Sequence, residues 1–125
     1  MLKKITMVFG VISVAVGILG FIPAVTPSGR LLGVFEVNAL HNLIHLATGG
    51  VAIVVGMASE AAMRNFFRIF GIVYALVAVL GFFYGDTPLL GLVANNLADA
   101  GLHVVIAGVA LYLGFAMKPA PSAPA

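Results

Sequence analysis

Four stretches, about Ile5 to Val25, Phe35 to Met57, Ile69 to Tyr84 and Leu89 to Met117, are almost wholly apolar and approach bilayer-crossing length. A spanning helix needs roughly 20 such residues. An isolated strand would leave its backbone groups unpaired in hydrocarbon, so the stretches read as helices. Charge bears this out. Only 8% of the chain is charged and 62% is hydrophobic, whereas a soluble domain carries about 25% charged residues. That is too little charge to cover a water-facing surface. The expected fold is all-α, an integral membrane four-helix bundle filling residues 1–117 as one domain.

The breaks between stretches carry turn chemistry: Pro23, Pro27, Ser28 and Gly29 after the first, Gly85, Asp86 and Pro88 after the third. Residues 118–125 are rich in Pro and Ala and read as a disordered tail. Lys3 and Lys4 before an apolar run resemble the start of a signal peptide. The run exceeds an ordinary h-region of about 7–15 residues, and Pro27 crowds any cleavage site, so it is read as a span. The chain has no cysteine, which excludes disulfides, thiolate metal sites and covalent c-type haem. Its six basic residues are scattered between spans and form no phosphate-binding patch, so nucleic acid is not an expected partner.

An internal repeat organises the chain. Phe9-Gly10, Val16, Leu19-Gly20-Phe21 and Thr26-Pro27 recur as Phe70-Gly71, Val77, Leu80-Gly81-Phe82 and Thr87-Pro88. After a three-residue difference, Leu31-Leu32-Gly33, Asn38, His45, Gly50-Val51-Ala52 and Gly56 recur as Leu89-Leu90-Gly91, Asn96, His103, Gly108-Val109-Ala110 and Gly114. Repeat one covers about 5–57 and repeat two about 66–117. Each holds two spans, so both copies sit the same way up: two tandem transmembrane hairpins in a parallel repeat. Lys3, Lys4, Arg64, Arg68 and Lys118 fall on one side of the membrane and only Arg30 on the other. The positive-inside rule then puts both termini in the cytoplasm.

Polar residues inside the second and fourth stretches are the exception to this apolar pattern. Asn38, His41, Asn42 and His45 fall at helical spacing on one face, which Thr48 and Gly49 continue. Asn96, Asp99 and His103 stand at the repeat-equivalent positions of Asn38, His41 and His45. An Asp at a span's centre costs about 2.5–3.5 kcal/mol on insertion scales, so both stripes should face the bundle interior. The simplest role is an interhelical lock, in which amides, imidazoles and Asp99 bond across helices and Asp99 pairs with a histidine. Gly49, Gly50, Gly101, Ala107 and Gly108 would permit the close approach.

The alternative is a transition metal held by His41, His45, Asp99 and His103, with Asn38, Asn42 and Asn96 orienting the rings. A further variant is b-type haem between His45 and His103. A proton or solute path is not supported, because the other halves of the spans are wholly apolar. Glu36 is expected at the start of the second helix, where an acid suits the dipole. Tyr74, Tyr84, Tyr112 and the nine Phe read as lipid-facing or interfacial, and Ala62 to Phe70 as a segment lying along the inner surface. No nucleophile–base pair or phosphate loop is present, so the chain does not read as an enzyme.

The segment Phe35-Glu-Val-Asn38-Ala-Leu-His41-Asn42-Leu-Ile-His45, paired with Asn96-Leu-Ala-Asp99-Ala-Gly-Leu-His103, resembles a family of small four-span bacterial membrane proteins of unknown function. The resemblance runs from Phe9 to Gly114 and implies the four-helix architecture and a bacterial inner-membrane location. It brings no activity, substrate or cofactor. The expected role is a structural or accessory membrane component, with lipid as its surroundings and a larger membrane complex or homo-oligomer as its setting.

Overall fold

A computed structural model describes residues 1–119 and 121. The tail expected over 118–125 therefore lies partly, at residues 120 and 122–125, outside the described residues. The protein is all-helical, with α1 (Leu2–Leu19), α2 (Ala39–Gly56), α3 (Glu60–Tyr84) and α4 (Leu97–Leu111). The last helix continues as a π turn over Tyr112–Ala116. With that turn included, all four helices are long and apolar enough to cross a membrane. Their outward faces carry large apolar side chains, among them Val54, Leu76 and Val105, each more than 60% exposed. Water would not tolerate this over a whole circumference; lipid would.

The helices start later or earlier than hydropathy alone suggested. Phe35–Glu36 is not the opening of α2 but a strand, β2, paired antiparallel with β1 (Arg30–Leu31). Glu36 accordingly bonds Arg30 at 2.8 Å instead of facing a helix dipole. That carboxylate raises the guanidinium pKa above its ordinary value. Leu89 and Val93 form a matching bridge ahead of α4. Hydropathy misses these starts because the turn residues are themselves apolar. In both turns two successive residues take positive φ: Leu32 at 53° and Gly33 at 73°, Leu90 at 53° and Gly91 at 72°.

At the other end, α3 begins at Glu60, capped by Ser59, whose hydroxyl accepts from the Ala62 amide at 3.2 Å. The segment expected to lie along the surface is thus the first part of one unbroken helix. Met63, Phe67 and Phe70 share a face and are buried. Arg64 and Arg68 are tied to backbone: Nη1 of Arg64 donates to the Met117 carbonyl at 2.6 Å, and Nε of Arg68 to Gly114 at 2.8 Å. The core sits towards this end. Phe9 meets Phe66, Phe67 and Phe70 edge-on at 5.0–6.1 Å, and Phe70 stacks on Tyr74 at 4.0 Å. These aromatics are interior, not lipid-facing as expected, because small residues on α4 (Ala107, Ala110) leave them room.

Packing is closest within each hairpin, α1 on α2 and α3 on α4, and slight between α2 and α3. Glycine makes the first contact: a Cβ on Gly49 would stand 2.6 Å from the Gly10 carbonyl. Of the small residues expected at helix crossings, Gly49 and the buried Ala107 lie there. Gly50, Gly101 and Gly108 have open space around the Cβ position instead.

Candidate functional site

The polar residues gather at the loop end, where the two hairpins meet. Asn38 and Asn96 are not within helices; each is the N-cap of one, with φ/ψ of −144/177° and −141/179°. Their side chains work from both ends. Oδ1 of Asn38 accepts from the His41 amide at 2.9 Å, and Nδ2 donates to the Leu92 carbonyl of the other hairpin at 2.9 Å. Asn96 repeats this: Oδ1 accepts from the Asp99 amide at 2.9 Å and Nδ2 donates to the Val34 carbonyl at 2.7 Å. Val34 and Leu92 are themselves sequence equivalents, so the two bonds cross as a reciprocal pair. Asparagine suits the position because it carries an acceptor and a donor on one short side chain. Aspartate could cap but not cross.

Asp99 completes a capping box, its Oδ2 accepting the Asn96 amide at 3.0 Å. The same oxygen takes the Glu36 amide at 3.1 Å, again across the hairpins. The expected pairing of Asp99 with a histidine is replaced by these two backbone donors, which suit a carboxylate at a helix N-terminus. His41, aligned with Asp99, lines a cavity together with Ala94, aligned with Glu36.

The three imidazoles lie together. His41 stacks on His45 at 5.0 Å between ring centres and stands 6.3 Å from His103. Tyr74 meets His103 edge-on at 5.2 Å. His41 and His103 are buried, and Nδ1 of each has no hydrogen-bond partner. His41, His45, Asp99 and His103 all line one cavity of about 340 Å³.

Not every expected member joins this cluster. Asn42 turns to α1, where its side chain fills the space over Gly20. Gly49 faces α1, and Thr48 lines a separate cleft between α2 and α3. Among the described residues no group of three or more His, Asp or Glu side chains is placed to share a metal ion. Of the four residues expected to hold a metal, Asp99 meets two backbone amides through Oδ2, and His41 lies 5.0 Å from His45 and 6.3 Å from His103 between ring centres. His45 and His103, the residues expected to flank a haem, line the same cavity, and His41 packs near both.

Asn95 was not anticipated. It is buried, and its Nδ2 donates to the carbonyls of Gly81 (3.1 Å) and Gly85 (2.7 Å), closing the C-terminus of α3. The aligned position in the first half of the chain is Val37, so the sequence pattern shared by the two halves does not single it out. The doublet Asn95-Asn96 ahead of an apolar run was the available signal.

These features define an all-helical protein with four apolar helices of membrane-crossing length, its two hairpins bonded to each other through their helix caps. Residues 3–116 match the family described as a domain of unknown function, DUF4383, and the chain belongs to that family. No curated protein and no solved structure matches it.

Proposed function

We propose that this is a structural or accessory component of the bacterial inner membrane, without enzymatic activity, in which two duplicated transmembrane hairpins are joined by a polar lock. The single observation that carries the reading is the crossed pair of bonds from Asn38 to Leu92 and from Asn96 to Val34. A bond of this kind is worth roughly 0.6–2 kcal/mol in an apolar setting. α2 and α3 touch little, so the caps join the hairpins at the loop end, while Phe9 packed on Phe66, Phe67 and Phe70 joins them towards the other. Matching turn dihedrals at Leu32-Gly33 and Leu90-Gly91 support duplication. The basic residues at the end bearing the termini support a cytoplasmic placement of both.

The lock is tested by the stability in mild detergent of an Asn38→Ala/Asn96→Ala protein, which should fall well below that of the unaltered chain; equal stability overturns the lock. A green fluorescent protein fused after residue 125 should fluoresce in bacteria if that terminus is cytoplasmic, and a dark fusion would reverse the orientation.

A further inference from the structure

The histidine-lined cavity has a counterpart. A second cavity, of about 230 Å³, is lined by His41, Val77, Leu89, His103 and Tyr74. Under the repeat alignment, four of these correspond to Asp99, Val16, Leu31 and His45 of the larger cavity. Duplication would thus make one pocket twice, on opposite sides of the joint. The linings differ at several aligned pairs, among them Asp99 against His41, Phe35 against Val93 and Ser13 against Tyr74. Tyr74 occupies the second pocket where Ser13 stands in the first, and the first is about half as large again.

The narrower copy shows what the open one would accept. The phenol ring of Tyr74 stacks on Phe70 at 4.0 Å and meets His103 edge-on at 5.2 Å. In the open copy the equivalents of those neighbours, Phe9 and His45, both line the cavity, and the ring is missing. We propose that the open cavity binds the single oxygen-bearing six-membered ring of a membrane-dissolved phenol or quinone, its ring set against Phe9 and His45 as that of Tyr74 is set against Phe70 and His103. This rests on the duplicated-hairpin reading given above.

Three observations support the ligand class. A cavity of about 150 Å³ takes up benzene and ligand sites begin near 300 Å³, so 340 Å³ holds one ring and the start of a tail. The smaller copy, at about 230 Å³, has room for a bare ring but not for its tail. The walls are apolar apart from Ser13, Asp99 and the imidazoles. Asp99 already accepts two backbone donors through Oδ2. An imidazole donates from one ring nitrogen and accepts at the other, which serves a carbonyl oxygen or a hydroxyl equally. The route in is lateral: the cavity lies between α1 and α4, and its wall includes Ile12, which is 57% exposed on the outer face.

The test uses the full chain in lipid nanodiscs, titrated calorimetrically with 4-hexylphenol and, separately, with decylubiquinone. Saturable binding of one equivalent of either probe is expected. Binding of both points to the quinone pool, and of hexylphenol alone to a free phenol. Ser13→Tyr, which narrows this cavity as Tyr74 narrows its twin, should weaken binding at least tenfold while leaving thermal stability unchanged; Ser13→Leu repeats the test should the tyrosine variant fail to fold. Tyr74→Ser should add a second equivalent. Non-saturable partitioning of both probes into the unaltered protein, or undiminished binding after position 13 is filled, overturns the site. Stability of the Asn38→Ala/Asn96→Ala protein, measured in parallel, reports the lock separately, so the site can fail with the lock intact.

Discussion

Replacing Asn96 separates the two jobs of a single side chain. In Asn96→Ala, α4 loses the acceptor for the Asp99 amide and the Val34 carbonyl loses its donor. Loss of an asparagine cap costs typically about 1 kcal/mol, and loss of an interhelical bond in an apolar setting about 0.6–2 kcal/mol. The expected destabilisation is therefore about 2–3 kcal/mol. Asn96→Asp keeps an oxygen for the Asp99 amide but cannot donate to Val34, and it places a second carboxylate beside Asp99. It should lose the crossing bond while retaining the cap in part.

The assay is equilibrium unfolding by SDS in mixed micelles, followed by near-ultraviolet circular dichroism, to which buried Tyr74 contributes. Asn38→Ala should behave as Asn96→Ala does. If the two bonds close one joint, the double variant should cost less than the sum of the singles, because breaking either lets the loops part. Asn96→Ala unfolding at the same SDS fraction as the unaltered protein would refute the argument.

Asp99→Leu leaves the Glu36 and Asn96 amides without an acceptor at about 1–3 kcal/mol each, so it should destabilise far more than Asp99→Asn, which keeps one; the same SDS titration compares them. Gly49→Ala drives a methyl group to within 2.6 Å of the Gly10 carbonyl and should cost about 1–3 kcal/mol. Gly50→Ala, one residue on with open space around it, should be neutral or stabilising by up to about 1 kcal/mol; equal effects would contradict the assigned α1–α2 contact. Leu90, largely exposed with φ at 53°, holds a left-handed conformation that costs a leucine roughly 1–2 kcal/mol. Leu90→Asn should raise stability in thermal melts, and a loss would show that the leucine side chain makes a compensating contact.

Much of this was legible in residue order. Apolar length predicted four helices, because hydrocarbon admits few alternatives for an unpaired backbone. Asn38, His41, His45, Asn96, Asp99 and His103 could be grouped from spacing alone, since helical periodicity and repeat alignment act on positions and need no coordinates. Their individual roles could not. Whether Asn38 lies inside a helix or caps it depends on where the turn ends, and the turn residues Phe35 and Leu89 are as apolar as the helices. Whether Asp99 meets an imidazole or an amide depends on which backbone donors the opposite hairpin brings near. Phe67, Phe70 and Tyr74 read as lipid-facing because a hydropathy pattern does not distinguish a side chain buried in protein from one buried in lipid. The asymmetry between Ser13 and Tyr74 was written in the chain throughout. It became a narrower pocket and a wider one only when two hairpins faced each other, because a cavity belongs to no single segment.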